Sequence, residues 1–145
     1  MQHGILITCS NKRLAQLEED PETLEDVVDA RDETAIPGLL DLGSAWEALD
    51  AMLAGGKDPL LGDAVLARSG EEMEDVAFDE ARILPPARVA EVAKALAALP
   101  ESIVADRCRG RDAEEIEALQ IIWKRVVALY QDAARQKHSM LSLRV

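Results

Sequence analysis

The sequence predicts an α+β (mixed α/β) fold: a single domain with a small mixed sheet of about four strands flanked by five or six helices. Three observations predict it. A short β-branched run, Ile5 to Cys9, lies near one end and a second apolar run, Met140 to Val145, near the other. Helical apolar stripes fill the ground between them. The strand-like runs are too few and too irregularly spaced for a doubly wound nucleotide-binding sheet. The length of 145 residues corresponds to one domain at roughly 100–200 residues per domain.

Taken in order, Ile5–Cys9 reads as a buried strand. Ser10 or Asn11 can cap a short helix carrying Leu14 and Leu17. Asp20-Pro21-Glu22 opens a second helix: Asp20 supplies the cap oxygen, Pro21 fits the first helical position, and Glu22 suits the positive end of the dipole. Leu24, Val27 and Val28 form its stripe, and the pattern breaks over 29–38. Leu42, Trp46, Leu49 and Leu53 return at helical spacing, with Asp41 or Ser44 as cap and Gly55-Gly56 as stop. Asp58-Pro59 reads as the start of a loop and Ala64-Val65-Leu66-Ala67 as a strand ended by Ser69-Gly70. Glu71 to Asp75 reads as an acidic loop, followed by a strand near Ala81–Leu84. Pro85-Pro86 stops that strand and starts a helix with Val89, Val92, Ala93 and Leu96 inside. A short piece carries Ile103 and Val104. The longest helix runs from about Asp112 to Lys137, with Ile116, Leu119, Trp123, Val126, Tyr130 and Ala133 on one face.

Composition bounds the function. The formal net charge is -12, from 28 acids and 16 bases, which argues against duplex nucleic acid and anionic membrane as partners. Aromatics are only 3%, so the core must be aliphatic. Cys9 and Cys108 stand far apart and read as reduced thiols of a cytoplasmic protein. No stretch has the pattern of a signal peptide or reaches the roughly 18 apolar residues of a membrane span.

Motifs for chemistry are missing. There is no G-x-S-x-G elbow and no G-x-G-x-x-G. Gly55-Gly56-Lys57 fails as a phosphate loop because Ala51 and Asp58 stand where glycine and Ser/Thr are needed. Only His3 and His138 are available as imidazoles. The one metal or nucleophile constellation that can be built is His3–His138–Cys9, if the terminal strands bring it together. It has no ligand spacing behind it, so neither a structural metal nor a cofactor is expected. The acids from Glu18 to Asp29 read first as a solvated face. Glu71, Glu72, Glu74 and Asp75 read as a solvated loop, or as a recognition loop for a basic partner.

The run Leu40-Asp41-Leu42-Gly43-Ser44-Ala45-Trp46-Glu47-Ala48-Leu49 through Leu53-Ala54-Gly55 resembles a segment of the YfbM-like family, small bacterial proteins of unknown function. Asp58-Pro59-Leu60, Ala81-Arg82-Ile83-Leu84-Pro85, Leu129-Tyr130-Gln131-Asp132 and Met140-Leu141-Ser142-Leu143 resemble its later segments, in the same order. The family often carries His where this chain has Asp50, and an aromatic segment where this chain has Arg107-Cys108-Arg109-Gly110-Arg111. The resemblance implies a mixed α/β fold and transfers no catalytic residue.

Two functions compete on this reading, and the first, which leans away from an enzyme, is favoured. It is a non-enzymatic acidic binding module, an inhibitor or immunity-type protein that covers a basic protein. The second is a small-molecule-binding protein or enzyme with a pocket near Trp46, Asp50 and Arg82. Charge asymmetry motivates the first: residues 1–80 carry 20 acids and 5 bases, and residues 81–145 carry 8 acids and 11 bases.

Overall fold

The two end strands pair with each other. In the computed structural model, which describes residues 2–30, 38–55, 58–73, 78 and 80–145, β1 (Gly4–Cys9) runs antiparallel to β5 (Ser139–Arg144), with Gly4 opposite Arg144 and Cys9 opposite Ser139. The sheet is completed by β2 (Leu39–Gly43), β3 (Glu71–Glu72) and β4 (Arg82–Leu84) in the order β2-β1-β5-β4-β3, and every neighbouring pair is antiparallel. The helices are α1 (Asn11–Glu19), α2 (Glu22–Ala30), α3 (Trp46–Ala54), α4 (Pro59–Leu66), α5 (Pro86–Ala97), α6 (Ile103–Arg107) and α7 (Ala113–Gln136).

Strand side chains alternate between faces, and the register fixes which core each enters. One row crosses all five strands as Leu39, Ile7, Leu141, Ile83 and Glu71. With Ile5 and Leu143, its central members pack against Leu17 of α1 and Leu24 and Val28 of α2. The next row, Leu40, Leu6, Ser142, Arg82 and Glu72, faces the opposite way. There Leu6, Leu84 and Met140 meet Leu49 and Leu53 of α3, Val89 and Val92 of α5, and Trp123, Val126 and Tyr130 of α7. The sheet is therefore a middle layer, with α1–α2 on one side and the other helices on the second. Each fully buried Leu or Ile contributes roughly 1.5–3 kcal/mol.

Local signals explain most boundaries. The Ser10 hydroxyl accepts from the Arg13 amide at 3.1 Å to cap α1, and Asp20 Oδ1 accepts from the Glu22 amide at 3.2 Å at the head of α2. Asp112 caps α7 by accepting from the Glu115 amide at 2.8 Å. Gly4 matters by having no side chain: a Cβ there would lie 2.5 Å from Trp46 Cβ, so α3 could not rest on the sheet.

Several expectations are corrected. Among the described residues there are five strands and seven helices, and the sheet is antiparallel throughout rather than mixed. Ala64–Leu66 belongs to α4, not to a strand; the run is apolar because this short helix is buried on most sides, at Leu61, Asp63, Ala64 and Val65. Asp58-Pro59 does not open a loop. Asp58 caps α4, accepting from the Leu60 amide at 2.9 Å, with Pro59 in the first turn. Leu42 sits in β2 rather than on α3, and Asp41 accepts from the Gly43 amide at 2.8 Å instead of capping the helix. The Glu71–Glu72 part of the acidic segment is the edge strand β3. His3, His138 and Cys9 do not meet: the His3 amide pairs with the Val145 carbonyl while Cys9 faces Ser139. Six residues of strand, about 20 Å, separate His3 from Cys9. Cys9 and Cys108 are both free and buried. No helix among the described residues is long and apolar enough to cross a membrane.

Candidate functional site

The densest polar construction surrounds the end of α4. Ala67 takes a left-handed conformation at φ 48 and turns the chain back over the helix. This brings Ser69 onto Asp63: the Ser69 amide donates to Oδ1 at 2.7 Å and its hydroxyl to Oδ2 at 2.6 Å. Arg88, from the first turn of α5, donates through Nε to the same Oδ2 at 2.7 Å. Asp63 is 1% exposed, and three donors compensate the cost of burying its charge. Beside it, Arg68 grips both oxygens of Asp50 on α3, at 2.8 and 2.6 Å, and donates to the Gly62 carbonyl at 2.7 Å. The hydrogen bonds that Arg68 donates to Asp50 hold its guanidinium still more firmly in its charged form.

The last carbonyls of a helix have no partner within it, and here the fold supplies them. Buried Tyr130 of α7 donates to the Ala64 carbonyl at 2.8 Å, and Ser142 of β5 to the Val65 carbonyl at 2.5 Å. Burial pushes the Tyr130 phenol up, and the nearby Asp63 charge adds to it. One turn on, Arg82 of β4 donates to the Gly70 carbonyl at 3.2 Å. A cavity of about 480 Å³ opens beside this network, lined by Ala54, Asp58, Gly62, Asp63, Arg68 and Arg88 among others. The Ser69 hydroxyl ends on a carboxylate already shared with a guanidinium, and no histidine lines the cavity. Among the described residues that line this cavity, no relay of nucleophile, base and acid is assembled.

A second depression lies on the other face of the sheet, between α1 and the β3–β4 edge. Its volume is about 420 Å³, and Leu14, Glu18, Glu71, Ile83, Pro85 and Pro86 are in its lining. Leu14 and Ile83 are half-buried and Glu18 and Glu71 exposed. Among the described residues, the lining contains two acids and no base.

The residues suggested by the sequence are scattered among these features. Trp46 is half-buried; its Nε1 donates to the Gln2 carbonyl at 3.1 Å and the Arg144 guanidinium lies 5.1 Å from its ring centre, a cation–π contact. Asp50 reaches the 480 Å³ cavity only through Arg68, and Arg82 serves the Gly70 carbonyl. Trp46, Asp50 and Arg82 each have a separate partner and none lines that cavity. Glu71 and Glu72 are exposed at the sheet edge, on opposite faces. Glu74 and Asp75 lie outside the described residues. Sequence reasoning missed Asp63, Arg68, Ser69 and Arg88. One signal was present: a lone Asp inside Leu60-Leu61-Gly62-Asp63-Ala64-Val65-Leu66, where a buried charge requires partners.

Among the described residues no three His, Cys, Asp or Glu side chains converge as metal ligands would. The family model described as a domain of unknown function, DUF1877, matches residues 2–143. This chain belongs to the DUF1877 family. The crystal structure of a protein of unknown function, YfbM from Escherichia coli, is similar to this DUF1877 chain over 99% of both chains, with a TM-score of 0.67 and 17% identity. At that identity the likeness is one of fold. No curated protein matches the chain. The DUF1877 assignment and the YfbM likeness both carry unknown function, so any activity must be argued from the site itself.

Proposed function

We propose that the protein is a non-catalytic binding module whose acidic α1–α2 layer meets a basic protein, in the manner of an inhibitor or immunity-type protein. The observation that carries this is the state of the acids on that layer. Glu18, Glu19, Glu22, Asp26 and Asp29 are exposed, and among the described residues none of them makes an ion pair. The cations of residues 81–145 are largely occupied elsewhere: Arg88 with Asp63, Arg144 with Glu80, Arg109 with Asp106, Arg111 with Glu115. Arg107, from the arginine-rich segment, donates to the Met52 carbonyl at 2.9 Å. The negative field of the α1–α2 layer is thus left to solvent or a partner. Two buried free thiols fit a reducing, cytoplasmic setting for this encounter.

Such a field acts mainly on the association rate. The test is stopped-flow binding of a fluorescent acetyl-(Gly-Arg)6-amide peptide. The on-rate should fall about tenfold or more between low and high salt, within the range electrostatic steering spans. Asp26→Lys/Asp29→Lys should lower it at low salt, whereas Glu114→Lys/Glu117→Lys on α7 should matter less. An on-rate that ignores salt, or responds equally to both charge reversals, overturns the reading.

The 480 Å³ cavity supports a second reading, a small-molecule site. Its size is ordinary for a ligand cleft, and the guanidiniums of Arg68 and Arg88 suit a ligand bearing a carboxylate or phosphate. Their existing bonds to Asp50 and Asp63 make this the weaker reading. Ligand-detected NMR with a carboxylate and phosphate fragment set, repeated on Arg88→Gln, tests it.

A further inference from the structure

We infer that the groove between α1 and the β3–β4 edge receives one long cationic side chain, arginine or lysine, from the basic protein partner. This rests on the acidic-module reading above and assigns it a docking point.

The groove exists because the cross-sheet row changes character at its end. Leu39, Ile7 and Leu141 are buried beneath α1 and α2, but Ile83 is only half-buried and its next neighbour across the strands is Glu71. Apolar surface thus continues past the edge of the helical layer and ends at a carboxylate. Across the groove, α1 repeats the pattern. Leu14 and Glu18, one turn apart on one helix face, present an apolar wall and then a second carboxylate. Pro85 and Pro86 complete the apolar lining and have no N–H to repel a cation.

An aliphatic stem with a cationic head matches this sequence of surfaces. The stem covers Ile83, Leu14 and the prolines, and the head lies between Glu18 and Glu71. An anion would meet two carboxylates, and a purely apolar side chain would leave both without a counter-charge. The 420 Å³ volume, within the roughly 300–1,000 Å³ of ligand clefts, has room for that one side chain and the backbone that carries it.

Short-range contacts of this kind govern the dissociation rate, whereas the wider acidic face governs association. The experiment is therefore amide NMR and stopped-flow with acetyl-(Gly-Arg)3-amide, with (Gly-Lys)3 and (Gly-Glu)3 counterparts. Amide shifts are expected at Leu14, Glu18, Glu71 and Ile83 with the arginine or lysine peptide and not with the glutamate peptide. Glu18→Gln/Glu71→Gln should raise the off-rate about tenfold, equivalent to about 1.4 kcal/mol. Ile83→Thr, which leaves the charge unchanged, should raise the off-rate without changing the on-rate. Glu18 and Glu71 are exposed, so the double variant keeps the core, and its unperturbed spectrum elsewhere verifies that. Shifts confined to Asp26 and Asp29 with an unchanged off-rate overturn the groove and leave the acidic-module reading standing. Absence of binding by both cationic peptides overturns both.

Discussion

The hydroxyl of Tyr130 on α7 donates to the main-chain carbonyl of Ala64 on α4, 2.8 Å away and shielded from water. The bond fastens the longest helix to the end of one of the shortest. Tyr130→Phe keeps the ring and removes only the donor, leaving a helix-terminal carbonyl buried without its partner. A loss of about 1–3 kcal/mol is expected in denaturant melts, the cost of an unsatisfied buried group. A change within about 0.5 kcal/mol, the usual size of a neutral surface substitution, would mean that water reaches Ala64.

The clamp on Asp63 should be costlier to break. Asp63→Ala leaves the Arg88 guanidinium half-buried and deprives Ser69 of an acceptor for both its amide and hydroxyl. The expected destabilisation is about 3–5 kcal/mol, as for a buried pair missing one member. Adding Arg88→Met should recover part of it. A double variant no more stable than Asp63→Ala would show that the guanidinium is not the source of the penalty.

Trp123 lies at the centre of the α7 stripe and is 5% exposed. Trp123→Ala should cost roughly 3–5 kcal/mol, the range for emptying a large aromatic site. Urea melts followed by circular dichroism measure it, and a loss below about 1 kcal/mol would refute the packing described.

Lys137 offers a gain. It holds φ 59 after the last turn of α7, where the His138 amide returns to the Ala133 carbonyl at 2.8 Å. A left-handed residue with a Cβ costs about 1–2 kcal/mol relative to glycine. Its side chain is exposed, so Lys137→Gly forfeits little packing. A rise in melting temperature of about 3 °C is expected per kcal/mol gained, and a fall would contradict the cap geometry.

Alkaline pH should weaken the fold. Burial pushes the Cys9 thiol up to about 11 from an ordinary 9.0, against partial relief from Arg13. The folded thiol stays neutral where the unfolded one ionises. Its contribution is complete below pH 9.0 and is lost as the pH rises towards 11. The amount is at most about 2–3 kcal/mol, at 1.36 kcal/mol per pH unit. The Tyr130 phenol, also raised, acts in the same direction at still higher pH. Melts at pH 8, 10 and 11 should show declining stability, with a shallower decline in Cys9→Ala. A flat profile would refute the burial of the thiol.

The end strands and the long helix were legible because their signals agree. Period, caps and charge order all place α7 between Asp112 and Lys137. The Asp-Pro pair was correctly informative at Asp20-Pro21 and equally so at Asp58-Pro59. At the second site the apolar run Ala64–Ala67 outweighed it, since a short helix buried on most sides loses the polar stripe that identifies a helix. β2 was hidden by coincidence: Leu42 falls four residues before Trp46 and extends the α3 stripe into what is a strand. The polar network was less legible still. Asp63 meets Arg88 across 25 residues and Ala64 meets Tyr130 across 66, and no local period encodes such pairings. The acids of α1 and α2 were readable as an exposed face, but the groove beside them depends on register between strands distant in sequence.

β5 stands between β1 and β4, so among the described residues the strand hydrogen bonding that joins the two sides of the sheet runs through residues 139–144. During synthesis β1 emerges first, yet its inner edge waits for a strand made about 130 residues later. At 5–20 residues per second, that wait lasts roughly 7–26 s, or longer while residues 139–144 are still within the ribosome. Throughout it, Ile5, Ile7 and the open edge of β1 are available to other chains. Secondary structure in α7 can form early, but the sheet closes in one late, long-range step, which topology makes slow. Loss of residues 139–145 would therefore sever the sheet at its middle rather than trim its rim.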